Sequence, residues 1–182
     1  MPRYIAFLRA VNVGGRVVKM DALRGLFERA GFDDVQTFIQ SGNVAFSAKA
    51  RATAPLERAI ETRLADALGY DVPTFVRSPS EVLGVIGRPA FPGRRVAPDG
   101  SLHVGFLKGP LDAAARARLS ALNTDQYRFE AAGREVYWLL ETKMSLLKIR
   151  PAQIERALGG PTTFRSHLSL QKLAARHCAP ER

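Results

Sequence analysis

Five residues suited to gripping an anion fall inside one short stretch, "FLRAVNVGGRVVK" at 7–19: Arg9, Asn12, Gly14, Gly15 and Lys19. Glycine lets a ligand approach the backbone closely, and exposed N–H groups next to cationic side chains hold an oxyanion. Arginine adds a bidentate grip on phosphate or carboxylate. The spacing is neither that of a P-loop nor that of a dinucleotide fingerprint. A second polar cluster, Gln40, Ser41 and Asn43, sits in "TFIQSGNVAF" at 37–46. The competing reading is architectural: the glycine pair shapes a turn, Asn12 caps it through its side chain, and Arg9 pairs with an acidic neighbour such as Asp21.

Other chemistry finds less support. Ser41 has no histidine or carboxylate close in sequence and "QSGN" is not a nucleophile elbow, so it reads as a turn former. His103, His167 and His177 have no metal-ligand spacing, and the single Cys178 supports neither a disulfide nor a zinc module. No cofactor or metal is expected. Tyr4, Phe7, Phe46, Tyr127, Phe129, Tyr137 and Trp138 alternate with apolar residues and read as packing. The exposed stacking platform of a base-reading RNA-binding sheet is therefore not expected.

The elements that must position these residues follow from periodicity. Residues 3–9 read as a buried strand. Leu23, Leu26, Phe27 and Ala30 recur at helical spacing, with Gly31 as the stop. "VQTFIQ" and "NVAFSA" flank Ser41-Gly42 as a hairpin. Thr53 and Pro55 open a helix whose stripe is Leu56, Ile60, Leu64 and Leu68, closed by Gly69. "VPTFVR" reads as a strand, and Ser78-Pro79-Ser80-Glu81 as a capping box. The order is βαββαβ plus a helix.

"GRPAFPGRRVAPDG" at 87–100, rich in proline and glycine and without hydrophobic period, reads as a linker over 88–100. Beyond it the order restarts: a strand at 101–107, a helix from Leu111 to Leu122, the hairpin "YRFE" and "EVYWLL" around "AAG", and a helix after Pro151. The last helix, at 167–177, stands where a fourth strand is wanted. The fold expected is α+β, two tandem ferredoxin-like (split βαβ) units at 1–87 and 101–182, the second imperfect. In such a unit the first and third strands are neighbours, so residues 9–15 and 40–43 should meet at one rim of the sheet.

The chain has 182 residues and a formal charge of +10. Most of the excess falls after residue 90, with Lys143, Lys148, Arg150, Arg156, Arg165, Lys172 and Arg176 close in sequence. That balance favours anionic partners, nucleic acid included. No apolar run reaches the ~18 residues of a membrane span and no leader pattern opens the chain, so a cytoplasmic protein with no membrane partner is expected.

The stretch "YIAFLRAVNVGGRVVKMDALRGLFERAGFDDVQTFIQSGNVAF" resembles the opening of the bacterial domain of unknown function 1697 family, in its strand, RxxNVGG, KM, GF and IQSGN elements. The similarity continues through "VGFLKGPL", "GREVYWLL" and "TTFRSHLSLQKL". Where that family tends to end a loop in Ser-Lys-Leu, this chain has Ser145-Leu146-Leu147. Where it tends to show Thr-x-Arg-Asn-Trp, this chain has Thr163-Phe164-Arg165-Ser166-His167. Arg165 is kept, and Lys143 or Lys148 stands nearest the missing lysine. The resemblance implies the fold and the rim without supplying a reaction. The expected function is binding of an anionic ligand through Arg9, Asn12, Gly14, Gly15, Lys19, Gln40, Ser41 and Asn43, with Arg165 an outlying contributor, and weak, sequence-tolerant nucleic-acid binding is slightly preferred. The alternatives are an enzyme acting on a small phosphorylated or carboxylated substrate at the rim, or a protein-interaction module. The sequence leaves the oligomeric state open.

Overall fold

The structure is a computed structural model that describes residues 1–12, 14–38 and 42–178. Fifteen elements follow one another as β1 (Arg3–Leu8), α1 (Met20–Arg29), β2 (Asp33–Phe38), β3 (Asn43–Ser47), α2 (Thr53–Leu68), β4 (Thr74–Arg77), α3 (Pro79–Gly87), β5 (Ser101–Phe106), α4 (Ala113–Ser120), β6 (Tyr127–Ala132), β7 (Glu135–Leu140), a short 3-10 turn (Met144–Leu146), α5 (Pro151–Leu158), β8 (Thr163–Ser166) and α6 (His167–His177). The strands form two four-stranded antiparallel sheets, ordered β2-β3-β1-β4 and β6-β7-β5-β8. The fold is α+β with two ferredoxin-like repeats. The chain divides into two compact units, Met1–Gly84 with Leu173–Arg182, and Val85–Lys172, so one cut falls inside α3 and the other inside α6.

In the first unit, alternate residues of β1 and β3 (Tyr4, Ala6, Leu8, Val44, Phe46) meet Leu23 and Phe27 of α1 and Leu56, Ile60 and Leu64 of α2 in one core. Burying each of these large side chains contributes about 1.5–3 kcal/mol. The opposite face, Ile5, Phe7, Ala45 and Phe75, is buried as well. In the second unit Leu107, Phe129, Val136, Trp138 and Leu140 pack on Leu119, Ile154 and Leu158. Here too the reverse face, Val104, Phe106, Tyr137 and Leu139, is buried. A stacking surface for bases would need exposed aromatics on these central strands, and the aromatics there are interior.

Each sheet has a short edge strand, β4 in one and β8 in the other, and each is finished by a helix. Thr74 N–H donates to Glu61 Oε1 at 2.8 Å and Val76 N–H to Glu57 Oε1 at 2.8 Å, so two carboxylates one turn apart on α2 take the place of a further strand. In the second unit Thr162 N–H donates to Glu155 Oε1 of α5 at 3.3 Å. β8 is the strand that pattern alone does not supply. Its "TFRS" has no alternation, contains an arginine and runs straight into α6. With it, the second unit has a full βαββαβ order.

The sheets also match in register. Arg77 opposes Ile5 and Arg165 opposes Val104. Arg77 is the last residue of β4 and Arg165 the last but one of β8, and each is followed by a serine that caps the next helix: Ser78 Oγ accepts from Glu81 N–H at 3.2 Å, and Ser166 Oγ from Ser169 N–H at 3.1 Å. The Ser78 cap is a closed box, since Glu81 Oε2 accepts from Ser78 N–H at 2.8 Å.

Candidate functional site

The β1–α1 loop leaves the sheet between the beginnings of two other strands. Leu8 N–H donates to the Gly42 carbonyl at 2.8 Å, and Arg9 N–H donates to the Pro73 carbonyl at 2.9 Å. Gly42 is left-handed at φ 76°, and a Cβ there would stand 2.9 Å from Val11 Cγ1 and 3.1 Å from Leu8 Cβ. The first loop therefore packs directly on the hairpin that precedes β3, and only glycine fits between them.

The loop is tied down further along. Asn12 Oδ1 accepts from Val18 N–H at 2.7 Å, closing the turn across the glycines. Tyr70, just past α2, donates its hydroxyl to the Val11 carbonyl at 3.3 Å, and the Arg16 guanidinium lies 4.1 Å above the Tyr70 ring. Gly14 and Gly15 are consecutive left-handed residues, at φ 68° and 81°, and a Cβ on either would meet no atom within 4 Å. Conformation, not crowding, demands glycine there, and the space beside the backbone is open. Gly14, Gly15, Arg16 and Lys19 are exposed and Arg9 is half-buried.

Of the other residues singled out by sequence, Asn43 is buried and its Nδ2 donates to the Phe38 carbonyl at 3.2 Å, across the hairpin. Its side chain closes that turn. Gln40 and Ser41 lie outside the described residues. Asp21, considered as a partner for Arg9, pairs with Arg24 at 3.5 Å.

Arg165 is 8% exposed. Its Nη1 donates to Thr163 Oγ1 at 2.7 Å and to the Phe164 carbonyl at 2.9 Å, and burial pulls its pKa down to about 10. Its counterpart Arg77 is fully buried, donates from Nη1 to the Val76 carbonyl at 2.9 Å and lies 3.9 Å from Glu57 Oε1. Both arginines tie the ends of edge strands. Lys148, Arg150, Arg156 and Lys172 are exposed, and Lys143 stands 3.8 Å from Asp99.

Other titrating groups are displaced by burial inside the fold. His103 on β5 is pushed down by desolvation. His177, at the end of α6, is pushed down by desolvation and then by Arg3 and Arg176. The Cys178 thiol is pushed up to about 11 by burial, which makes it a poor nucleophile. His177 Nε2 and Trp138 Nε1 are buried and find no hydrogen-bond partner among the described residues. Among the described residues, no group of three or more His, Cys, Asp or Glu is placed to hold a metal, and no helix is long and apolar enough to cross a membrane.

The family model described as "Protein of unknown function (DUF1697)" matches residues 1–137. The chain belongs to this family. The match takes in the RxxNVGG and IQSGN motifs and the Met1–Gly84 part of the first unit. A solved structure described as that of the conserved bacterial protein SP0830 from Streptococcus pneumoniae is similar at 23% identity, with a TM-score of 0.73 over 96% of this chain and 97% of that one. Similarity at that identity shows a shared fold, and its coverage takes in both units. No curated protein matches the chain.

Several residues that shape the rim escaped the sequence reading. Tyr70 and Arg16 lie far apart in the chain, and nothing in "GYDVP" or "GGRVV" announces that one ring caps the other loop. Glu57 and Glu61 had a usable signal, because two glutamates four apart face the same side of α2 next to an edge strand.

Proposed function

We propose that the protein binds a small anionic ligand at the rim built by the β1–α1 loop. The observation that carries this reading is the contrast inside that loop: its flanks are pinned at Leu8, Arg9, Asn12 and Val11, while its Gly14-Gly15 tip stands open beside exposed Arg16 and Lys19. A preorganised loop loses little entropy on binding, and open backbone with nearby cations favours phosphate or carboxylate. Arg9 and Lys19 contribute charge, Gly14 and Gly15 backbone approach, and Asn12 holds the loop in shape.

Isothermal titration with a panel of small phosphate and carboxylate compounds tests it. Saturable binding, weakened at least tenfold by the double substitution Arg9→Ala and Lys19→Ala, is expected. No saturable heat from the panel at low ionic strength overturns the proposal.

A second reading is weak, sequence-tolerant nucleic-acid binding. It is favoured by exposure of Lys148, Arg150, Arg156 and Lys172, and it loses Arg165, whose guanidinium is interior. Such binding falls steeply with salt through counterion release. Titration of a labelled single strand and a duplex across a salt series decides it, and no binding at low salt removes it.

A further inference from the structure

The two units are built alike around the turn that links their second helix to their fourth strand, and one difference there leaves a cleft. In the first unit α2 ends on Gly69, left-handed at φ 76° and ψ 15°, and the next residue is Tyr70. In the second unit α5 ends on Gly159, at φ 78° and ψ 17°, and the next residue is Gly160. The backbones leave the two helices in the same way, but one unit places a phenol where the other places a hydrogen. In the first unit that phenol bridges to the loop after β1, through its hydrogen bond to Val11. In the second unit the space between the loop after β5 and the turn after α5 is a half-open cleft of about 330 Å³. That lies within the usual range for small-ligand sites, roughly 300–1,000 Å³.

The cleft has a definite chemistry. Leu107, Leu111 and Leu158 form apolar walls continuous with the core of the unit, and Pro110 and Pro161 stiffen the two lips. Lys108, exposed, is the charged side chain among the lining residues. A Cβ on Gly109 or Gly160 would meet no atom within 4 Å, so the backbone at both is approachable. Leucine walls, a volume of about 330 Å³ and one cation suit a small aromatic acid.

We infer that this cleft, between Lys108–Leu111 and Leu158–Pro161, is a binding site for a small aromatic carboxylate whose ring takes the place that the Tyr70 side chain fills in the first unit. The site is separate from the rim of the first unit and stands on its own observations.

The test uses the whole chain, 4-hydroxyphenylacetate as probe and p-cresol as its uncharged counterpart, read by amide chemical shifts. The acid should shift the amides of Gly109 and Gly160 saturably, with a dissociation constant on the order of a millimolar or tighter for so small a molecule. Gly160→Tyr should abolish those shifts while leaving the thermal midpoint unchanged or raised, since the residue has an ordinary φ and open space to fill. Lys108→Ala should weaken the acid at least threefold and leave p-cresol as it was. Absence of saturable shifts at 107–111 and 158–161, or shifts that persist in Gly160→Tyr, overturns the site. Equal binding of p-cresol and the acid overturns the carboxylate class.

Discussion

Gly42 shows how much one residue can decide at the rim. Its φ of 76° disfavours any side chain, and a methyl group would press on Val11 and Leu8 at once. Gly42→Ala therefore carries both a backbone cost and overpacking, about 1–3 kcal/mol each. Urea unfolding should show a loss of at least about 2 kcal/mol. By contrast Gly15→Ala meets nothing, and its cost should be confined to the left-handed backbone, about 1–2 kcal/mol. Arg77 is decided at the same scale by a different force. A fully buried guanidinium 3.9 Å from Glu57 holds its place only with its partners, and Arg77→Met leaves Glu57 interior without the cation. Breaking a buried pair from one side costs about 3–5 kcal/mol. Replacing both, Arg77→Met with Glu57→Gln, should recover part of that loss, because glutamine keeps an oxygen for Val76 N–H.

At the scale of elements, the edge strands carry a device that a sheet diagram omits. β4 is four residues long and would present two outward N–H groups, and α2 supplies Glu57 and Glu61 to receive them. Glu61→Ala should leave Thr74 N–H unpaired in the interior, at a cost of about 1–3 kcal/mol. Hydrogen exchange gives the specific readout: the Thr74 amide should exchange markedly faster in the variant while the amides of β3 keep their protection. Unchanged exchange at Thr74 would mean that the carboxylate is not what covers the edge.

For the molecule as a whole, pH dependence follows from two histidines held below their usual pKa of 6.5 by burial, His103 and His177. The folded state then binds fewer protons than the unfolded chain just below that value, so lowering the pH favours unfolding. Stability should be full above about pH 6.5 and fall as the pH drops below it. His177 faces Phe38 edge to face, with Arg3 and Arg176 adding positive charge nearby. His177→Phe removes the titration together with the Nε2 that finds no partner among the described residues. Its stability curve should be flatter between pH 5 and 6.5 than that of the native chain. The segment 88–100 offers another whole-molecule observable. It contains no helix or strand, and Arg95 is exposed there while Arg94 is held 3.3 Å from Glu141. Limited trypsin digestion should cut first after Arg95, and first cuts inside 20–76 would contradict the division of the chain.

The sequence by itself determined what short windows encode. The stripe Leu56, Ile60, Leu64 with Gly69 after it makes α2, the Ser78 box starts α3, and the glycine before Asn43 turns the first hairpin. From that order of elements comes the neighbourhood of β1 and β3, and with it the meeting of Leu8 and Gly42. Each of these depends on spacing within a few residues, or on a topology with few alternatives. The tertiary structure alone decided the rest. "VPTFVR" reads as a strand and "TTFRS" as none, yet Arg77 and Arg165 are interior and each lies on a fourth strand. Whether a guanidinium is buried depends on what the fold packs around it, Glu57 of α2 beside Arg77, and the Thr163 hydroxyl and Phe164 carbonyl beside Arg165. β8 exists because β5 offers it hydrogen bonds, not because its residues alternate. The cleft beside Gly160 becomes visible only when that turn is set beside the one that carries Tyr70, since a missing side chain leaves no mark in a sequence until the space around it is known.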